Sequence, residues 1–208
     1  MGQNEFLDEK IIEMMQKMEN DAGDSGESQK KEEEERRNIY TGVKILGKWL
    51  YFERYLLADS VSSIMLPKNF EPMSQEIARK KYPSEHRPEI IMTDETGTIN
   101  LMFQYMEGEV TDTTVENFRN QVFGMMKWMN PGIKEQETGT MDVSGKTVAY
   151  VEFSNPAIGG KLYNLMFYLA VKGRPLMGSF NCQTKEMKYW RSVAFEMVQS
   201  IEIADGEE

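Results

Sequence analysis

The residues best suited to chemistry in this 208-residue chain are few: one cysteine, Cys182, and one histidine, His86. Nucleophilic catalysis needs a thiolate or alkoxide with a base in hydrogen-bond reach and a group to orient that base. Cys182 lies in "SFNCQTKEMKYW", where only the start of a following helix could lower its pKa, and modestly. His86 is the one imidazole that could serve it. The "VSG" at 143–145 lacks the frame of a serine nucleophile elbow. Cys182 therefore reads as a buried, inert small hydrophobe at a strand end. A lone cysteine and a lone histidine exclude an internal disulfide, a cysteine-based zinc site and a multi-histidine metal centre.

Phosphate chemistry fares no better. Neither G-x-x-x-x-G-K-[ST] nor G-x-G-x-x-G occurs, and "GGK" at 159–161 falls in a hairpin turn rather than opening a helix. Glu107, Glu109 and Asp112 cluster without EF-hand spacing and read as a solvated loop. Arg79, Lys80, Lys81, His86 and Arg87 form one basic run, either a solvated helix face or a docking point for an acidic segment. No catalytic residue, cofactor or metal is expected, and the chain is read as a non-enzyme.

The charge balance, 24 basic against 34 acidic side chains, gives a net −10 and argues against a general nucleic-acid binder. The acidic N-terminus does not read as a signal peptide, and no apolar run is long enough for a membrane span, so a cytoplasmic protein is expected. There are 17 methionines, a flexible and polarisable residue over-used where one surface meets varied apolar partners, though gap-filling in a core would also use it.

Composition divides the chain. Residues 1–37 hold 12 acidic and 6 basic side chains. Within them Leu7, Ile11, Met14 and Met18 recur at spacings of 4, 3 and 4, one stripe of a helix. About four turns are not stable alone in water, so such a helix docks on its own domain, on a partner, or stays disordered. The expected organisation is an amphipathic N-terminal helix over 1–20, an acidic flexible linker over 21–38, one α+β domain over 39–204 and an acidic tail over 205–208.

From Tyr40 the pattern turns to strands. "VKIL" and "WLYFERYLL" around Gly47-Lys48 predict a hairpin, and "SVSSIMLP" a further strand stopped by Pro67. Ser74 is the expected N-cap of a short helix closed by Pro83, and "TINLMFQYM" alternates as a strand does. Thr113 and Glu116 fit a capping box, with Val115, Phe118, Val122, Met125 or Met126, and Met129 as the inward stripe, until "NPG" at 130–132. Strands at 147–154, 161–171 and 175–180 follow, and a last helix begins near Thr184 with Met187, Trp190, Val193 or Ala194, Met197 and Ile201. Hairpin-length links give antiparallel neighbours, so the fold class is α+β, a central antiparallel sheet flanked by helices.

Several stretches then carry a resemblance: "VSSIMLPKNFEPMS", "YPSEHRPEIIMTDETGTINLMF", "VAYVEFSNPAIGGKLYNLMFYLAVKGRPLMGSFNC" and "EMKYWRSVAFEMVQSIEI". Together they resemble the PsbP/Mog-like family over roughly residues 60 to 203. The resemblance implies an α/β/α sandwich around an antiparallel sheet and a role in binding, with no catalytic residues. Bacterial relatives of this style include Eag-type chaperones of type VI secretion, which hold apolar effector segments. The acidic N-terminal extension and the hairpin at 43–57 depart from them.

These readings converge on a chaperone or adaptor that holds an apolar segment of a protein partner, with a secreted effector as one candidate; an immunity protein that blocks a toxin and an orphan structural domain are the alternatives. On "INLMFQYM" and "YNLMFYLAV" one parity is apolar: Leu101, Phe103 and Tyr105, with Leu165, Phe167, Leu169 and Val171. The other parity joins soft apolar and amide groups, and Met102, Gln104, Asn164, Met166, Tyr168, Met177 and Asn181 are the expected partner face. Leu7, Ile11, Met14 and Met18 are expected to bind with them. The competing expectation is that the protein's own helices cover both faces.

Overall fold

The computed structural model describes residues 38–57, 61–84, 87–157 and 159–204. Its centre is a seven-stranded sheet, antiparallel throughout, in the order β5-β6-β7-β11-β10-β9-β8. The strands are β5 (Glu71–Pro72), β6 (Ile90–Thr93), β7 (Asn100–Tyr105), β8 (Lys134–Val143), β9 (Lys146–Ala157), β10 (Gly160–Val171) and β11 (Arg174–Gln183). The last four form the expected meander, extended by β8. Ser144-Gly145 links β8 to β9 and Lys172-Gly173 links β10 to β11, and in each pair both residues have positive φ (53° and 76°, 50° and 78°). Two such residues make the turn whose twist matches that of paired strands, which is why glycine takes the second place.

One face of the sheet packs on the C-terminal helix, here α3 (Met187–Gln199), and on the N-terminal strands β1 (Val43–Ile45), β2 (Lys48–Leu50), β3 (Phe52–Leu56) and β4 (Ser62–Pro67), with β12 (Glu202–Ile203) closing the small sheet β12-β4-β3. Leu101, Phe103, Leu165, Phe167, Leu169, Leu176 and Phe180 supply the floor of this core, against Trp190, Val193, Ala194, Met197 and Val198. The apolar parity is thus the main core, as its alternation demands. The other face carries α1 (Gln75–Lys81) and α2 (Val115–Met129). The result is an α+β sandwich with a central antiparallel sheet and helices on both faces.

Local details differ from expectation for identifiable reasons. The Ser74 cap forms, with its Oγ accepting from the Ile77 amide at 3.4 Å. The Thr113–Glu116 capping box does not: α2 starts one residue later, Thr114 Oγ1 accepts from the Thr111 amide at 2.9 Å, and Glu116 pairs with Arg119 at 3.2 Å. Thr184 opens a single 3-10 turn instead of α3 and donates its hydroxyl to the Lys161 carbonyl at 3.0 Å. "WLYFERYLL" is two strands, since β2 pairs with β1 and β3 turns away to pair with β4. Residues 1–37, and with them the expected N-terminal helix, most of the linker and the stripe Leu7, Ile11, Met14 and Met18, lie outside the described residues, as do His86 and the expected tail.

Candidate partner-binding surface

The mixed parity of the sheet is where binding was expected, and the structure roofs it. Cross-strand register brings Asn100, Asn181 and Asn164 into one row and Met102, Ser179 and Met166 into the next. Over the β9–β10 half lies α2, through Val115, Phe118, Val122, Phe123 and Met126, which pack on Ala149, Val151, Phe153, Met166, Tyr168 and Met177. The Phe118 and Tyr168 rings meet edge-on at 5.8 Å, and Phe123 lies 5.4 Å from Phe153. Over β6 and β7 lies α1, where Ala78 and Tyr82 cover Ile91 and Met102.

Met102, Asn164, Met166, Tyr168 and Asn181 are all buried, and Gln104 and Met177 half-buried. The open Met-rich face thus gives way to the competing expectation, helices on both faces, because two amphipathic helices have nowhere else to hide their apolar stripes. The amides are spent internally as well. Asn181 Oδ1 accepts from Asn100 Nδ2 at 2.9 Å, Asn100 Oδ1 accepts from Thr93 Oγ1 at 2.9 Å, and Asn164 Nδ2 donates to Asn155 Oδ1 at 2.7 Å. Tyr168 donates to the Met166 sulfur at 2.8 Å.

The polar groups of the opposite face are equally engaged. Glu152, almost wholly buried, receives Arg191 from α3 and the Tyr163 hydroxyl, and Arg191 also reaches Glu137 at 2.8 Å. Burial and the adjoining Glu152 carboxylate push the Tyr163 phenol well above its usual range. Cys182 is buried at the end of β11, and burial, with the Glu186 charge behind it, pushes its thiol up to about 12. Such a thiol is protonated at neutral pH and unreactive. Asp112, one of the clustered carboxylates, accepts from the Thr147 amide at 3.1 Å and pairs with Lys146 at 3.5 Å, while Glu107 and Glu109 are exposed. In the basic run, Lys80 pairs with Glu76 at 2.6 Å. Among the described residues no group of His, Cys, Asp or Glu is placed to hold a metal, and no helix is long and apolar enough to cross a membrane.

A cleft of about 370 Å³ opens between the β1–β2 hairpin and the sheet end, floored by Phe70, Ile99 and Trp190. Two of its carboxylates have local duties, while a third, Glu186, has its Oε2 buried without a hydrogen-bond partner. Asp94 accepts from the amides of Thr98 and Ile99, each at 2.9 Å, and Glu95 faces Lys48 at 3.7 Å.

The outer side of α2 is different. Met125 is 59 % exposed, Trp128 82 % and Met129 62 %. Positions i, i+3 and i+4 of a helix are neighbours, so these three side chains form one apolar surface. Of the expected inward pair Met125 or Met126 it is Met126 that packs on the sheet, whereas the expected Met129 is exposed; Phe123 joins the inward set, with the buried Arg119 reaching the Tyr150 carbonyl at 2.6 Å. The signal for the second surface lies in "GMMKWMN": Trp128 falls about 100° away from the stripe of Phe118 and Val122, while Met125 and Met129 continue that stripe into the exposed last turns of the helix.

The fold is PsbP-like. It is similar to that of the solution structure of cyanobacterial PsbP (CyanoP) from Synechocystis sp. PCC 6803, at TM-score 0.55 and 10 % identity over 73 % of this chain and 92 % of that one. LpqN of Mycobacterium tuberculosis, described as involved in cell envelope biogenesis, is similar at TM-score 0.50 and 11 % identity over 82 % of this chain and 99 % of that one. The immunity protein TplEi of Pseudomonas aeruginosa, solved with a peptide, aligns over 55 % of this chain and 46 % of its own at 15 % identity, with a TM-score of 0.41 too low to equate the two folds. No family model and no curated protein matches the sequence.

Proposed function

We propose that this chain is a non-enzymatic protein-binding module, an adaptor or chaperone that holds an amphipathic helix of a partner by its apolar stripe. The site is the outer face of α2. The observation that carries this is Trp128, 82 % exposed between Met125 and Met129 on a helix whose other side is fixed to the sheet. A rigid helix offering an aromatic anchor flanked by methionines suits helix-to-helix capture, where i, i+3, i+4 anchors are read. Tryptophan is also the residue most often found at the energetic centre of interfaces. The engaged state of Glu152, Arg191, Tyr163 and the buried Cys182 supports a binding role over a catalytic one. An unpaired cysteine suits a cytoplasmic setting.

The experiment is site-specific photo-crosslinking in the native host. A photoreactive phenylalanine analogue at position 128 is expected to give one dominant adduct, mapped to an amphipathic segment of one protein. The same analogue at the exposed Glu53 on the opposite layer is the control. Equal adducts at both positions, or none at 128, would overturn the proposal.

A further inference from the structure

Glu186 lines the cleft beside the β1–β2 hairpin, and its Oε2 is buried without a hydrogen-bond partner. The residue stands at the N-cap of α3 but makes no side-chain capping bond, so the helix amides do not account for its carboxylate. A buried carboxylate oxygen without a donor is costly, and a donor brought in through the cleft relieves that cost. The other two carboxylates of the cleft are already matched. Asp94 holds the amides of its own loop, and Glu95 faces Lys48 across the rim, where both side chains are mostly exposed.

The walls suit an apolar stem. Ile45, Phe70, Ile99 and Trp190 line the cleft and are buried around it. The Trp190 ring lies 6.2 Å from Phe70 and 5.8 Å from Phe180, which makes one end of the cleft aromatic. At the lip, Leu46 and Gly47 form the hairpin tip with φ of 49° and 80°, and Leu46 stays 61 % exposed beside the opening. A volume of about 370 Å³ falls near the lower end of the ~300–1,000 Å³ of small-molecule sites.

We propose that this cleft binds an alkylammonium group, with its charged head at Glu186 and its apolar stem on Phe70, Ile99 and Trp190. Aromatic faces attract cations as well as covering the stem, and the net charge of −10 draws cations toward the chain. An anion at Lys185 is the weaker occupant. That ammonium is exposed and keeps its water, whereas burial denies water to the Glu186 oxygen. A free alkylamine and the lysine side chain of a protein share this chemistry. The cleft lies on the α3 side of the sheet, so it stands or falls independently of the outer face of α2.

The probe is n-hexylammonium at neutral pH, added to the full chain and followed by the indole N–H signals of its three tryptophans. Trp49→Phe and Trp128→Phe identify two of these signals, which leaves Trp190. Hexylammonium is expected to shift the Trp190 signal saturably, to leave that of Trp128 in place, and to bind at least tenfold more tightly than hexanol or hexanoate. Glu186→Gln keeps the size of the side chain and removes its charge, and should erase that preference. Glu95→Gln, on the rim, should change it less than threefold. Thermal denaturation checks that both variants are folded, and the three probes on the wild type decide the matter without any variant. Equal binding of amine and alcohol, an unmoved Trp190 signal, or equal losses in the two variants would overturn the proposal. A lysine blocked at both ends separates the two sources. Binding as tight as that of hexylammonium assigns the cleft to a protein lysine, and binding tenfold weaker assigns it to a free amine.

Discussion

Arg191 on α3 grips Glu152 on β9 with two hydrogen bonds, Nε to Oε2 at 2.7 Å and Nη2 to Oε1 at 2.6 Å. The carboxylate is 1 % exposed and the guanidinium 40 %. Tyr163 donates to the same Oε2 at 2.5 Å, so one buried charge ties the helix to two strands of the sheet.

The asymmetry of exposure sets the prediction. Removing Arg191 strands a buried carboxylate, whereas removing the Glu152 charge leaves a cation that can still turn to water and Glu137. Arg191→Met should cost about 3–5 kcal/mol, lowering Tm by roughly 6–20 °C, and Glu152→Gln clearly less. The double Glu152→Met/Arg191→Met variant should recover part of the loss. Thermal denaturation of the four proteins measures this; equal losses in the two single variants would contradict it.

Cys182 should report on the fold through pH. Its thiol, raised from 9.0 to about 12, keeps its proton in the folded chain and loses it in the unfolded one between those values. The unfolded state then binds fewer protons, so stability is full below pH 9 and falls as pH rises toward 12. Between pH 9 and 10 the wild type should lose stability more steeply than Cys182→Ala, as chemical denaturation at each pH would show. At pH 8 a thiol-reactive dye should leave the native chain unmodified and label it once in guanidinium. Rapid native labelling would place the thiol at the surface and refute the assignment.

The same balance of local pattern and tertiary cover decides what was legible in the sequence. The strands around Leu101 and Leu165 and the α2 and α3 helices were readable because their periodicities repeat over many residues. The strand β8 was not expected. "KEQETGTMDV" is an edge strand, mostly exposed, with a bulge between Glu135 and Glu137, so burial imposes no alternation on it. The expected open face of the sheet proved covered for a related reason. Parity told which residues share a side of the sheet, but only the docking of α1 and α2 told that the second side is covered as well.

Asn181 shows the consequence for a residue expected to meet a partner. Its amide oxygen is committed to Asn100, and both side chains are buried. Asn181→Ala should leave Asn100 Nδ2 without an acceptor and cost about 1–3 kcal/mol. Replacing Asn100 and Asn181 together by leucine should cost less than the sum of the single changes, because the Asn100 donor goes with its acceptor and Thr93 Oγ1 keeps the Ile99 carbonyl at 3.2 Å. Partner capture at position 128 should be unchanged in Asn181→Ala at temperatures where it is folded. Loss of capture without loss of stability would return Asn181 to the binding surface.

Gly178 on β11 lies opposite Phe167 on β10, and the ring covers it. A Cβ at position 178 would stand 2.0 Å from Phe167 Cζ and 2.3 Å from Cε2, so something must move. Phe167 has no room: it is fully buried and meets Phe103 edge-on at 6.3 Å. Gly139 on β8 offers the contrast, since a Cβ there meets Tyr150 atoms at 2.7–2.9 Å, but that ring is half-buried at the sheet edge. Gly178→Ala should therefore cost about 1–3 kcal/mol, the usual penalty for overpacking a tight core, and Gly139→Ala less. Phe167→Leu should make the alanine at 178 better tolerated by freeing the ring's volume. Equilibrium denaturation of the single and double variants decides it; additive losses in the double variant would mean that Phe167 is not what demands glycine there.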